Sequence, residues 1–195
     1  MYPLTLDVAR LPVALAGGGP ALCRRLAGLD AAGAAHVTVF AETPDAALAD
    51  TAGPRLVRHL PTAEDLVGVR LLLVAGLDDG AASALAALAR AMGILVNVED
   101  RKPWCDVHVP AVVRRGDLTL TVSTNGRSPG LAKRIRRYLE RLFGPEWEGR
   151  VDDVAARRTA WRSAGADMAT VGNRTDALIA RRRWLHPDDP RVPPA

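Results

Sequence analysis

Apolar residues in the first hundred positions come in short runs separated by longer mixed segments. The runs are VALAG (13–17), HVTVFA (36–41), RLVRHL (55–60), RLLLVAG (70–76) and ILVNV (94–98). Short apolar blocks of this kind are what buried parallel strands require, because a strand covered on both faces has no wet side to mark with polar residues. Between them, PALCRRLAGLDAAG (20–33) and DDGAASALAALARAMG (78–93) read as helices, and Asp78 or Asp79 is placed to cap the second. Strands alternating with helices predict a parallel sheet. Right-handed crossovers then make it a doubly wound, Rossmann-type α/β domain over residues 1–107.

The pattern changes after residue 107. VHVPAVVRRG and DLTLTVST read as two strands about Gly116-Asp117. SPGLAKRIRRYLERLFG reads as a helix, with Ser128 as N-cap, Pro129 in the first turn and Gly144 at the end. Leu131, Ile135, Leu139 and Leu142 form an apolar stripe on it. Residues 147–184 read as helical, with Trp147, Trp161 and Trp184 as anchors. The organisation expected is therefore the Rossmann-type domain, a small α+β region over 108–145, a helical C-terminal domain over 146–185 and a disordered tail over 186–195.

Composition refines this picture. With 48% apolar and 25% charged residues in 195, a sizeable core is affordable. No apolar run approaches the roughly 20 residues of a membrane helix. The start, MYPLTLDVARL, lacks a basic segment and is broken by Asp7 and Arg10, so a cytoplasmic protein without a membrane partner is expected. Cys23 and Cys105 stand far apart and read as reduced thiols. The net charge of +4 is uneven, with arginines crowding 133–183, which points to an anionic partner.

Two stretches carry candidate chemistry. In LPVALAGGGPALCRRL, Gly17, Gly18 and Gly19 fall between a strand and a helix, with Pro20 and Ala21 opening the helix. Glycines there let the backbone approach a pyrophosphate, whose charge the helix N-terminus faces. This marks Gly17 to Ala21 as a dinucleotide seat. Leu22 stands where a third small residue would fall and is expected to widen the helix–strand contact. Glu42, just past the second strand, is the candidate for the ribose, and the lack of an adjacent arginine favours NAD over NADP. The second stretch, ILVNVEDRKPWCDVHVP, sets Asn97, Glu99, Asp100, Cys105 and His108 at and beyond a strand's carboxyl end, where ligands of open α/β sheets bind. Cys105 and His108 have C-x-x-H spacing, but with no second pair nearby no metal site is read; a buried thiol and a hydrogen-bonded imidazole are expected.

PLTLDVARLPVALAGGG, GILVNVED and VPAVVRRGDLTLTVSTNGRSPGLAKRIRRYLE, in this order and spacing, resemble the N-terminal module of siroheme synthase over residues 2 to about 145. That family includes stand-alone precorrin-2 dehydrogenases and sirohydrochlorin ferrochelatases. The resemblance implies a homodimer with a central dimerisation region over 108–145, and NAD-dependent oxidation of precorrin-2 to sirohydrochlorin. In some members ferrous iron is a second substrate. The aspartate ending the family's Asn-Val-x-Asp motif matches Asp100, with Asn97 at its start as a cofactor contact. Thr124 and Asn125 match the family's serine and first glycine, and Val107 and His108 replace an aromatic and an aliphatic residue. Thr124, Asn125, Ser128 and His108 are the implied substrate contacts.

Asp100 suits the chemistry. The oxidation removes a hydride and a proton from a reduced tetrapyrrole, and a nearby carboxylate can take the proton; metal insertion needs a base too. The substrate's rim of carboxylates suits Arg134 and Arg137, on one helical face with Arg141, since guanidinium binds carboxylate as a fork. Arg181, Arg182 and Arg183 form a second cluster. Two other readings compete. One is an NAD-sensing regulatory or nucleic-acid-binding protein using its arginine-rich helices, against which stands the absence of a clear helix-turn-helix. The other is a family member that keeps the fold without the chemistry, for which Leu22, Asn125 and His108 are the departures.

Overall fold

The computed structural model describes residues 2–185. The tail expected to be disordered, 186–195, lies outside the described residues. The chain divides into two compact units, 1–109 and 110–195.

The first unit holds five parallel strands: β1 (Val13–Gly17), β2 (Val37–Phe40), β3 (Leu56–Val57), β4 (Leu71–Ala75) and β5 (Leu95–Val98). Their order is β3-β2-β1-β4-β5, so the chain winds outward from β1 in both directions. The place where that direction reverses lies between β1 and β4, in register from Val13 opposite Leu71 to Gly17 opposite Ala75. Three helices cover the sheet: α1 (Gly19–Asp30), α2 (Ala46–Ala52) and α3 (Asp79–Ala91).

The period-two alternation of a strand sends successive side chains to opposite faces. On the face of α1 and α2, Val13, Leu15, Val39, Leu71 and Leu73 pack with Leu22, Leu26 and Leu48. On the face of α3, Ala14, Ala16, Leu72, Val74, Val96 and Val98 pack with Leu85 and Ala86. Each buried leucine or valine contributes about 1.5–3 kcal/mol relative to exposure. Leu22, the departure at the third glycine position, is fully buried and serves as one of these core side chains.

Most elements end within a residue or two of their sequence patterns, and three depart further. β3 keeps only Leu56 and Val57 of 55–60; Arg55 belongs instead to the 3-10 turn over 53–55 and sets its guanidinium on Asp30 (2.5 Å). α1 stops at Asp30, with Gly33 at φ +75° ending the turn that follows. In the second unit β6 starts at Ala111, after Pro110, which lacks the N–H a ladder needs.

That unit pairs β6 (Ala111–Arg115) with β7 (Leu118–Val122) antiparallel around a two-residue turn. Gly116 takes the positive φ (+54°) that such a turn demands. α4 (Pro129–Leu142), α5 (Trp147–Ser163) and α6 (Met168–Arg182) follow. Ser128 caps α4, its Oγ accepting from Leu131 N–H, and Asp167 caps α6 through Thr170 N–H at 2.7 Å. Of the expected anchors, Trp147 and Trp184 lie 6.4 Å apart, with the Arg150 guanidinium over both rings, while Trp161 lies under Arg174. The apolar stripe of α4 is only partly covered. The buried residue of the helix is Ala132, outside the stripe, while Leu131 and Ile135 are 52% and 37% exposed, because the small side chain is what lets the helix lie close to the hairpin.

Candidate dinucleotide and catalytic site

The glycine turn sits where β1 and β4 end side by side. Gly18 N–H donates to Ala75 O at 3.0 Å. A Cβ on Gly17, at φ +127°, would stand 1.8 Å from Ala75 O, and one on Gly76 would stand 2.2 Å from Gly18 O. These two glycines are therefore fixed by the close approach of two backbones. Gly76 was missed in the sequence, although a glycine ending an apolar strand was a usable signal.

Gly18 and Gly19 differ. A Cβ on either would meet nothing within 4 Å, although Gly19 has φ +68°. The first turn of α1 has no side-chain cap, since Gly18 is its N-cap and Pro20 brings no N–H. Backbone donors at an uncapped helix start, open to a space kept clear of side chains, fit a pyrophosphate. Glu42 lies exposed just past the end of β2.

Beside this turn, a cleft of about 160 Å³ is lined by Ala75, Gly76, Leu77, Glu99, Asp100 and Arg101, among others. It lies at the carboxyl ends of β4 and β5. Asp100 is exposed in a turn just past β5, at φ +57°. That left-handed conformation costs an ordinary residue roughly 1–2 kcal/mol, less for aspartate. Its carboxylate has no hydrogen bond or ion pair among the described residues. The adjacent Arg101 turns away to Asp79 (2.7 Å), and Arg24 lies 3.6 Å from Glu99. The Arg25 guanidinium is held below its usual value by burial, and the nearby Glu99 and Asp100 carboxylates oppose that shift.

Asn97 is 5% exposed. Its Nδ2 donates to Val107 O at 2.9 Å and to Cys105 Sγ at 3.5 Å, while its Oδ1 is buried without a partner among the described residues. Cys105 is half-buried, not fully buried as expected, because it packs at the rim of the α3-side core under the strand end. His108 is half-buried and makes no hydrogen bond among the described residues, contrary to expectation. No group of three metal-ligating side chains occurs among the described residues.

In the second unit, Thr124 Oγ1 donates to Ser128 O (3.0 Å) and accepts from Ser128 N–H (3.1 Å), which closes the STNGRS loop. Asn125 sits at φ +54°. Asparagine is among the few non-glycine residues that tolerate this region, which accounts for it in place of the family's glycine. Arg134 and Arg137 are exposed on α4 without ion pairs among the described residues, whereas Arg136 pairs with Glu140. Among the described residues, no helix is long and apolar enough to cross a membrane.

Comparison with known proteins agrees with this geometry. A family described as putative NAD(P)-binding matches residues 4–111, and one described as sirohaem biosynthesis protein central matches 115–142. A siroheme synthase of Methylococcus capsulatus is 38% identical over 141 residues, covering 71% of this chain and 30% of its own length. Siroheme synthase 2 of Yersinia pestis is 33% identical over 188 residues, covering 94% of this chain and 38% of its own. The chain thus spans about a third of the length of these curated relatives. A solved structure titled SirC, precorrin-2 dehydrogenase, superposes with a TM-score of 0.76 at 26% identity, covering 96% of this chain and 93% of that one. With the first match alone spanning more than half of its residues, the chain belongs to the siroheme synthase N-terminal module family, a putative NAD(P)-binding segment followed by a sirohaem-biosynthesis central segment.

Proposed function

We propose that this protein oxidises precorrin-2 to sirohydrochlorin with NAD. The carrying observation is Asp100: an unpaired carboxylate, held in a left-handed turn, in a cleft beside an uncapped glycine turn. NAD, when bound, takes up the hydride. Gly18, Gly19 and Ala21 would hold its pyrophosphate and Glu42 its ribose, while Asn97 has only Oδ1 left to offer. Asp100 accepts the proton that leaves the substrate carbon as the new double bond forms. With no ion pair among the described residues, the carboxylate keeps its acceptor oxygens for that proton. Arg134 and Arg137 offer forked donors for the tetrapyrrole's carboxylates. The hydroxyls of Thr124 and Ser128 shape the loop that carries Asn125.

The second unit supports a homodimer. Leu131 and Ile135 lie exposed on α4, next to a two-stranded sheet too small to be stable without cover. We assign 108–145 to dimerisation and 146–185 to the helical C-terminal domain, and place the protein in the cytoplasm. The test is anaerobic incubation with enzymatically made precorrin-2 and NAD. Conversion of the spectrum to that of sirohydrochlorin, with one NADH formed per turnover, supports the reading. No NADH above an enzyme-free control overturns it.

A further inference from the structure

The turn that presents Asp100 is weakly closed by its own backbone. Arg101 N–H reaches Val98 O at only 3.3 Å, and Asp100 between them is left-handed. Such a turn needs support from outside itself. Cys105 stands where that support is required. Its sulfur lies 3.1 Å from Val98 O and 3.3 Å from Arg101 O, the carbonyls on either side of Asp100. The S–H donates to one of these oxygens, and the sulfur accepts from Val98 N–H at 3.3 Å and Asn97 Nδ2 at 3.5 Å. Each contact is weak, because sulfur is a poor donor and acceptor. Together they tie one side chain to the backbone before and after Asp100.

Both ends of this tie are braced. Asn97 is buried and anchored on Val107 O (2.9 Å). The thiol is delivered by the short helical turn over 102–104, in which Trp104 N–H bonds Arg101 O and Cys105 N–H bonds Lys102 O. On the other side, Arg101 is fixed to Asp79 at the start of α3. Nothing in the catalytic reading uses the sulfur, yet it is the side chain that spans the turn.

We propose that Cys105, braced by Asn97, is a positioning residue for Asp100: its sulfur locks the Val98–Arg101 turn so that the carboxylate is presented into the cleft. This rests on the reading of Asp100 as the proton acceptor. Releasing the clamp lets the carboxylate wander, and a misplacement near 1 Å costs on the order of 100-fold in rate. Substrate and cofactor affinity, set by other residues, stay as they were.

The experiment compares wild type, Cys105→Ala and Cys105→Ser as full chains. First, amide hydrogen exchange over 98–104 is measured in the free protein, together with NAD stoichiometry by calorimetry. Then kcat and KM for precorrin-2 are measured under anaerobic conditions. Cys105→Ala is expected to speed exchange over 98–104 at least tenfold. It should lower kcat about 10- to 100-fold, with KM and NAD affinity within twofold and one NAD still bound per chain. Serine keeps a donor and an acceptor on a shorter bond, and is expected to recover most of both effects. Unchanged exchange in Cys105→Ala overturns the clamp whatever the turnover. A loss of kcat matched by a loss of NAD stoichiometry overturns it too, since that is partial unfolding. If wild type itself fails to oxidise precorrin-2, the functional reading falls, while the exchange data still decide whether the sulfur holds the turn.

Discussion

Gly18→Ala separates cofactor binding from folding at the glycine turn. Gly18 sits at φ −171° and ψ −175°, extended backbone that any residue adopts, and a Cβ there meets nothing within 4 Å. Its effect on stability should stay within about 0.5 kcal/mol, and the melting temperature within about 2 °C. The neighbouring Gly17→Ala is the control. Its Cβ would stand 1.8 Å from Ala75 O, at φ +127°, and Ala75 lies in a buried strand that cannot yield cheaply. Overpacking of this severity costs about 3 kcal/mol or more, or a fall of roughly 6–12 °C. In Gly18→Ala the new methyl group stands in the approach to the Gly19 and Ala21 N–H groups. Loss of one charge-assisted hydrogen bond, about 1.5–3 kcal/mol, weakens NAD binding roughly 10- to 150-fold. Calorimetric titration with NAD and differential scanning of the same samples read the two effects. If Gly18→Ala binds NAD within twofold of wild type while Gly17→Ala is destabilised as expected, this turn is not the cofactor's seat.

Four further outcomes are expected. Asp100→Asn keeps a side chain that tolerates φ +57°, so it should melt within about 2 °C of wild type and bind NAD normally. Its turnover should fall about 10²- to 10⁴-fold; near-normal turnover would make Asp100 a turn residue only. Sedimentation at micromolar concentration should give a dimer for wild type and a monomer for Leu131→Asp/Ile135→Asp, since both residues are exposed on α4; a monomeric wild type refutes the assembly. Hydrogen bonds from Thr170 hold the Asp167 carboxyl below its usual 3.8. A group depressed in the folded state stabilises above its unfolded value and loses that contribution as pH falls through the folded one. Asp167→Ala should therefore melt below wild type at neutral pH, with the gap narrowing as pH falls below about 4; a gap that does not narrow with falling pH refutes the capping account. Siroheme formation from sirohydrochlorin and ferrous iron should be weak, given Asn125, Val107 and His108; rapid enzyme-dependent formation would make His108 a metal-handling residue.

What the sequence determined by itself was the part of the fold governed by local patterning. β1 and β4 were legible because a strand buried on both faces must be apolar throughout, β5 because only Asn97 interrupts its apolar run, and α3 and α4 because Asp78 and Ser128 cap them within three residues. The glycine turn was legible as a turn, and NVED as a strand end bearing a carboxylate. The reasons behind them were not, because they lie across space. Gly17 is required by Ala75 O on a strand distant in sequence, and Gly76 by Gly18 O, so only the pairing of β1 with β4 explains either. Asp100 is left without an ion pair among the described residues because the adjacent Arg101 goes to Asp79, a choice of partner that charge spacing along the chain does not encode. The stripe on α4 had the right period, but packing of the hairpin decided that Ala132 would be buried and that Leu131 and Ile135 would not. Cys105 read as a bland thiol because its role depends on two carbonyl oxygens and two N–H groups converging on one sulfur. Periodicity and capping act within one or two turns of chain, whereas close approach, choice of ion-pair partner and backbone clamping are set by which distant segments the sheet brings side by side.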